Sequence, residues 1–266
     1  MTIAVGLLSI GGYVLAADTQ ETAGPFKTDQ RKIATWPLPE TCAAGKAHRA
    51  CPIAGAGYAG YIDRASQDLI RLFGSKRTTS KNWSAQVEDY LSSFYKRHVI
   101  PFGARDDLDF SLLIVGQFED SAPMMSTNRT VIIQGSPALA IGYGELTAKT
   151  LLHQVGSVLL DAKSAALLAA YIVYRVKQSV ETCGHKTQVV VVQACQAKDL
   201  DYTATMKWDA VFAQYDADSA RYLWDTLSAH RGERQGESGP DHLLAVKTAV
   251  RRLASETLGS IDDKAF

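Results

Sequence analysis

Two short apolar runs stand at the head of this chain, residues 2–8 and 13–17, rich in Val, Ile and Tyr and separated by Ser9, Ile10, Gly11 and Gly12. Runs of this kind around a Gly-Gly turn read as two paired antiparallel strands. The chain therefore has to contain a sheet almost from its first residue. The same stretch, ending in Leu15, Ala16 and Ala17, also resembles a secretory signal with a small-residue cleavage site. No Lys or Arg precedes Lys27, however, so the positive flank of a signal is missing, and the turn at residues 9–12 would interrupt its apolar helix. The residues favour a hairpin, with an exported chain cleaved near Ala17 as the alternative.

Beyond the hairpin, residues 32–36 and 50–57 read as strands. Ile62, Ala65, Leu69, Leu72 and Phe73 recur at helical spacing up to Gly74, and Val87, Tyr90, Leu91, Phe94 and Tyr95 mark a second helix ahead of Pro101. Residues 110–118, 130–134 and 139–142 are β-rich. Helices are expected over 145–160 and 163–180, then a β-branched run at 188–193. Helix pairs alternating with antiparallel strands are best buried as an α+β, four-layer αββα sandwich, in which two stacked antiparallel sheets are flanked by helix pairs. From about Asp201 the texture changes. Residues 206–230 and 243–258 form helical stripes around a breaker at 231–240, so the expected organisation is a domain over 2–200 and a helical C-terminal appendage over 201–266.

Composition excludes more than it assigns. Acidic and basic residues balance at 28 each, so no global field points to nucleic acid or to an anionic membrane as partner. The longest later apolar stretch, residues 165–173, is too short to span a bilayer and reads as a buried helix. Four cysteines in 266 residues suit reduced thiols and a cytoplasmic chain. Cys42, His48 and Cys51 lie close together, but their spacing fits no standard zinc pattern, and a fourth ligand would have to come from Cys183, His185 or Cys195. The expectation is no metal. Gly55, Gly57 and Gly60 lack the setting of a dinucleotide site, so no cofactor is expected. His98, His153 and His242 have no companions at metal or triad spacing and read as structural.

The chemistry starts at Thr2. Once Met1 is removed, Thr2 carries a free α-amine next to its own hydroxyl, so nucleophile and general base share one residue. Around it lie Thr2-Ile-Ala-Val-Gly6, Tyr13-Val-Leu-Ala-Ala-Asp18-Thr-Gln-Glu-Thr22, Ile53-Ala-Gly-Ala-Gly57-Tyr-Ala-Gly-Tyr-Ile-Asp63 and Ala140-Ile-Gly-Tyr-Gly144. In these patches, taken in order, the first 195 or so residues resemble the proteasome β-subunits and the bacterial proteasome-like peptidases, which are N-terminal nucleophile hydrolases. The resemblance implies a threonine peptidase, or more broadly an amidohydrolase, that cuts peptides or unfolded proteins. It also implies a homo-oligomeric ring that can work with an unfoldase.

Residue by residue, the resemblance implies that Thr2 attacks the peptide carbonyl. Lys32 would stabilise developing negative charge, Asp18 would fix Lys32, and the Gly57 N–H would serve as oxyanion donor. Thr22 would hold the substrate backbone. Gly55 would floor a substrate pocket with acids Glu21 and Asp63, which favours a cationic side chain. Two departures stand out. Lys32 follows Thr2 at a slightly shorter separation than in the family, and Tyr143 takes the place of a serine. No counterpart of the family's late aspartate and its Ser-Gly partner is legible near residues 180–184. A catalytically silent ring subunit is therefore the rival reading.

Overall fold

A computed structural model describes residues 2–23, 26–35, 51–73, 78–103, 108–116, 118, 123–155, 160–193 and 196–230. Cys42, His48, Cys195, the breaker at 231–240 and the expected helix at 243–258 lie outside the described residues.

The expected hairpin forms from β1, Ile3–Ser9, and β2, Gly12–Asp18. Both strands are buried almost throughout, as expected where a sheet is covered on both faces. β10, Ala138–Gly142, flanks β1, while β11, Thr187–Gln193, and then β12, Gln196–Asp199, continue from β2 in one five-stranded antiparallel sheet. β2 is thus the central strand. A chain cut near Ala17 would lose β1 and most of β2 from the middle of this sheet.

The second sheet runs in the order β5, Ile33–Ala34, then β6, Ile53–Gly57, β7, Phe110–Val115, β8, Met124–Asn128, and β9, Val131–Gln134. A separate small hairpin pairs β3, Gln20–Ala23, with β4, Phe26–Asp29. β5 is shorter than the expected strand at 32–36, and β6 starts later than residue 50. Pro52, which has no N–H to give a ladder, precedes β6.

Strand alternation divides the core into layers. Ala54, Ala56, Leu113, Val115 and Met124 face Ala4, Leu15, Ala17, Ile141 and Val190 between the sheets. Their neighbours Ile53, Phe110, Leu112, Ile114 and Met125 turn the other way, onto α1, Ala59–Phe73, and α2, Trp83–Phe94, through Ala65, Leu69, Phe73, Trp83, Val87 and Leu91. On the opposite side α3, Glu145–Val155, and α4, Ala162–Ser179, lie on the first sheet. The buried face of α4 includes Ala162, Ala165, Ala166, Ala169 and Ala170, small side chains that let a helix sit close to a flat strand surface. Asp161 caps α4 by accepting the N–H groups of Lys163 and Ser164. α3 stops at Val155 and does not reach residue 160, because Leu160 bridges to Ser9 beside β1. The result is an α+β sandwich of two antiparallel sheets between helix pairs.

The chain divides into two compact units, Met1–Tyr202 and Thr203–Phe266. Helix α5, Tyr202–His230, begins at that boundary and buries Thr205 and Trp208. Among the described residues no helix is long and apolar enough to cross a membrane.

Candidate active site

The β1–β2 register pairs Ala4 with Ala17, which brings Ile3 opposite Asp18. The Ile3 N–H donates to Asp18 Oδ1 at 3.0 Å, and Lys32 Nζ reaches the same oxygen at 3.0 Å. Asp18 Oδ2 accepts the Gly184 N–H, also at 3.0 Å. Asp18 has no solvent exposure, and the Lys32 side chain is only 9% exposed. A carboxylate survives such burial only when charge and hydrogen bonds replace its water, and three donors do so here. Lys32 Nζ further donates to the Gln20 carbonyl. Burial pulls the Lys32 pKa below the ordinary lysine value, and the Asp18 carboxylate opposes that pull.

Thr2 immediately precedes β1 and is itself buried. Its carbonyl accepts the Tyr143 N–H at 2.8 Å. The turn that delivers this bond needs glycine at 142, where φ is +102° and a Cβ would collide with the Thr2 carbonyl oxygen. Tyr143 thus meets Thr2 through its backbone, while its side chain is 69% exposed. At the end of β6, Gly57 has φ +119°, and a Cβ there would strike the Asp109 carbonyl. Its neighbour Tyr58 donates its N–H to that carbonyl at 3.0 Å. Glycine at 57 is therefore a requirement of the backbone.

Thr2, Lys32, Gly57 and Tyr143 line one cavity of about 1010 Å³, together with Glu21, Gly55 and Asp63. The room over Gly55 is taken by Ile62 of α1, whose Cγ2 lies where a Cβ would stand. Gly55 thus lines the cavity at a point where Ile62 leaves no room for a side chain. Arg31 in the same wall pairs with Asp199 at 3.2 Å, and Asp109 pairs with Arg129 at 2.7 Å. Glu21 and exposed Asp63 add two carboxylates to the lining, and the Glu21 charge acts on Lys32 in the same wall. Thr22 stands opposite Lys27 in the small hairpin. Its side chain lies outside the described residues.

Three contributors were not legible in the sequence. The turn before β11, which carries His185 at φ +59°, supplies the Gly184 N–H to Asp18. Next to it the Cys183 thiol is buried, and burial, reinforced by the Asp18 charge, pushes its pKa up to about 11. The thiol is therefore protonated at neutral pH and a poor nucleophile. The third contributor, Gln188, is fully buried and bonds the backbone at Lys32 and Ile33. A glycine ahead of the strand that pairs with β2 was the one usable signal. Cys51 is buried too, and burial raises its thiol pKa well above the ordinary range. Among the described residues no group of three or more His, Cys, Asp or Glu could hold a metal ion.

No protein-family model and no curated protein matches this chain. Solved structures do. Anbu from Hyphomicrobium sp. strain MC1 superposes with a TM-score of 0.68 at 16% identity, over 84% of this chain and 97% of that one. Anbu (ancestral beta-subunit) from Yersinia bercovieri gives 0.63 at 15% identity, over 90% and 99%. A structure described as the helical assembly of the Anbu complex from Pseudomonas aeruginosa gives 0.65 at 18% identity, over 84% and 95%. The likeness shows the fold alone. It corrects the assignment made from sequence patches, because membership of the proteasome β-subunits or the bacterial proteasome-like peptidases finds no matching family model, and the structures superposed above are those of Anbu. What carries over is the fold, an α+β sandwich of two antiparallel sheets between helix layers.

Proposed function

We propose that the chain is a threonine-type peptidase whose nucleophile is Thr2, exposed by removal of Met1. The observation that carries the reading is the buried Asp18–Lys32 pair, tied by the Ile3 N–H to the start of β1, with its lysine lining the same cavity as Thr2. Thr2 Oγ attacks the substrate carbonyl and its α-amine takes the proton, directly or through a water. The C–N bond breaks with proton return to the leaving amine, which leaves an ester on Thr2 that water hydrolyses. Lys32 stabilises the developing oxyanion, with the Gly57 N–H as a donor to the same charge. Asp18 keeps Lys32 charged and in place. Other amides fall within the same chemistry. The buried, protonated Cys183 thiol near Asp18 and Lys32 supports Thr2 as nucleophile rather than that cysteine.

The carboxylates Glu21 and Asp63 in the cavity lining support preference for a cationic side chain. Matched fluorogenic peptides ending in Arg, Leu and Glu test this. Cleavage after Arg is expected to be fastest, and Asp63→Ala should narrow the gap to Leu by about fivefold, the worth of one exposed charge pair. Equal rates on the three peptides would remove the specificity proposal.

Self-association belongs to the same proposal, with a ring as the notional end state and an unfoldase as possible partner for unfolded-protein substrates. The Pseudomonas aeruginosa Anbu complex is described as a helical assembly, and that precedent on the same fold supports a homo-oligomer here. Light scattering at micromolar concentration is expected to show a multimer. A stable monomer with full peptidase activity would contradict it.

A further inference from the structure

Lys32 stands just before β5, a strand of two residues at the edge of its sheet. So short an edge has little ladder to hold it. Beyond its pairing with β6 and the Gly55 N–H donated to the Lys32 carbonyl at 3.4 Å, the segment that carries the lysine is pinned from the other sheet. Gln188 on β11 pairs with Ala17 in register, next to the Thr187 and Asp18 pair, and its side chain crosses the interior to β5. Gln188 Oε1 accepts the N–H groups of Lys32 and Ile33, each at 3.0 Å, and Gln188 Nε2 donates to the Ile33 carbonyl at 3.1 Å and to Asp199 Oδ2 at 3.1 Å.

A primary amide has two N–H donors and one oxygen with two lone pairs, so this one is completely satisfied. Its orientation is also fixed: two N–H groups converge on one end, and a carbonyl and a carboxylate on the other. Asp199 is held in turn by Arg31, the residue next to Lys32, at 3.2 Å. Burying an amide costs stability unless every polar atom is paired, and a valine here would suit the β-branched run equally well for packing. The expense falls at the one place where it fixes the backbone of Lys32.

We infer that Gln188 is the positioning residue of this site: its amide spans the two sheets and holds the Lys32 backbone so that the ammonium meets Asp18 beside Thr2. The inference rests on the peptidase reading for its catalytic consequence, but not for its structural one. The test compares Gln188→Leu with Val190→Ala, a core truncation two residues along the same strand, and uses Gln188→Glu if the leucine variant does not fold. Three readouts are taken: kcat and KM on a fluorogenic peptide, hydrogen exchange at the Lys32 and Ile33 amides, and the pH profile of Lys32 acylation by an amine-reactive reagent.

Gln188→Leu is expected to lower kcat on the order of 10- to 100-fold, the usual consequence of a small misplacement of a catalytic group, with KM changed less than about twofold. It should also speed exchange at both amides and move the Lys32 titration midpoint up toward the ordinary lysine value. Val190→Ala, at a comparable loss in Tm, should do none of these. If the Lys32 midpoint and exchange in Gln188→Leu match those in Val190→Ala, the inference is overturned. If the parent itself hydrolyses no peptide, the peptidase reading fails alone, and the Lys32 midpoint still decides the role of Gln188.

Discussion

Thr2→Ala is expected to reduce peptide turnover by at least about 10³-fold, because it removes the atom that bonds to substrate, and residues that act as one catalytic unit fail together. Folding should hardly change. The bonds that place residue 2 are made by backbone, through the Thr2 carbonyl to Tyr143 and the Ile3 N–H to Asp18, and alanine keeps both. A stability change within about 1 kcal/mol is expected for losing a hydroxyl and a methyl at this position. Thr2→Ser should retain part of the rate. Fluorogenic peptide hydrolysis with a thermal melt on each variant checks both halves, and an alanine variant as active as the parent would remove Thr2 from the mechanism.

Lys32→Ala is expected to behave differently, losing turnover and stability together. It strips the one cation paired with this buried carboxylate among the described residues and leaves Asp18, among those residues, with the Ile3 and Gly184 N–H groups. Breaking a buried pair on one side costs roughly 3–5 kcal/mol, since the uncompensated charge stays buried. Asp18→Asn meets the mirror problem, because its amide N–H₂ must face at least one donor that the carboxylate accepted. Combining Asp18→Asn with Lys32→Gln should therefore cost less than the sum of the single changes, by more than about 0.5 kcal/mol, the coupling expected of contacting residues. Urea unfolding of the four proteins measures this, and strict additivity would mean that the pair does not act as one.

The hairpin β1–β2 was legible because Val, Ile and Tyr flank a Gly-Gly turn, α1 and α2 because apolar residues return at helical spacing to a covered face, and α4 from its continuous apolar stretch at 165–173. β3 and β4 were not. Phe26, Lys27, Thr28 and Asp29 are all exposed, so no core imposes a period of two on their sequence. β5 was overextended, since an edge segment held by Gln188 needs little ladder of its own. In the site, Asp18 and Lys32 could be read from patches at recognisable separations. Gly184 and Gln188 could not, because they act through a backbone N–H and an amide brought in by the pairing of β11 with β2, a tertiary fact that spacing along the chain does not encode. The close packing of Ile62 against Gly55 is hidden for a similar reason, as only the packing of α1 puts Ile62 there.

The most direct test treats the purified protein with a peptide electrophile that closes a ring with both the hydroxyl and the α-amine of an N-terminal threonine, followed by intact and peptide-level mass spectrometry. The expected result is a parent mass lacking Met1, one adduct per chain located on Thr2, and loss of turnover in step with labelling. A chain that retains Met1, or an adduct on Cys183 or elsewhere that leaves turnover unchanged, would contradict a mechanism centred on Thr2.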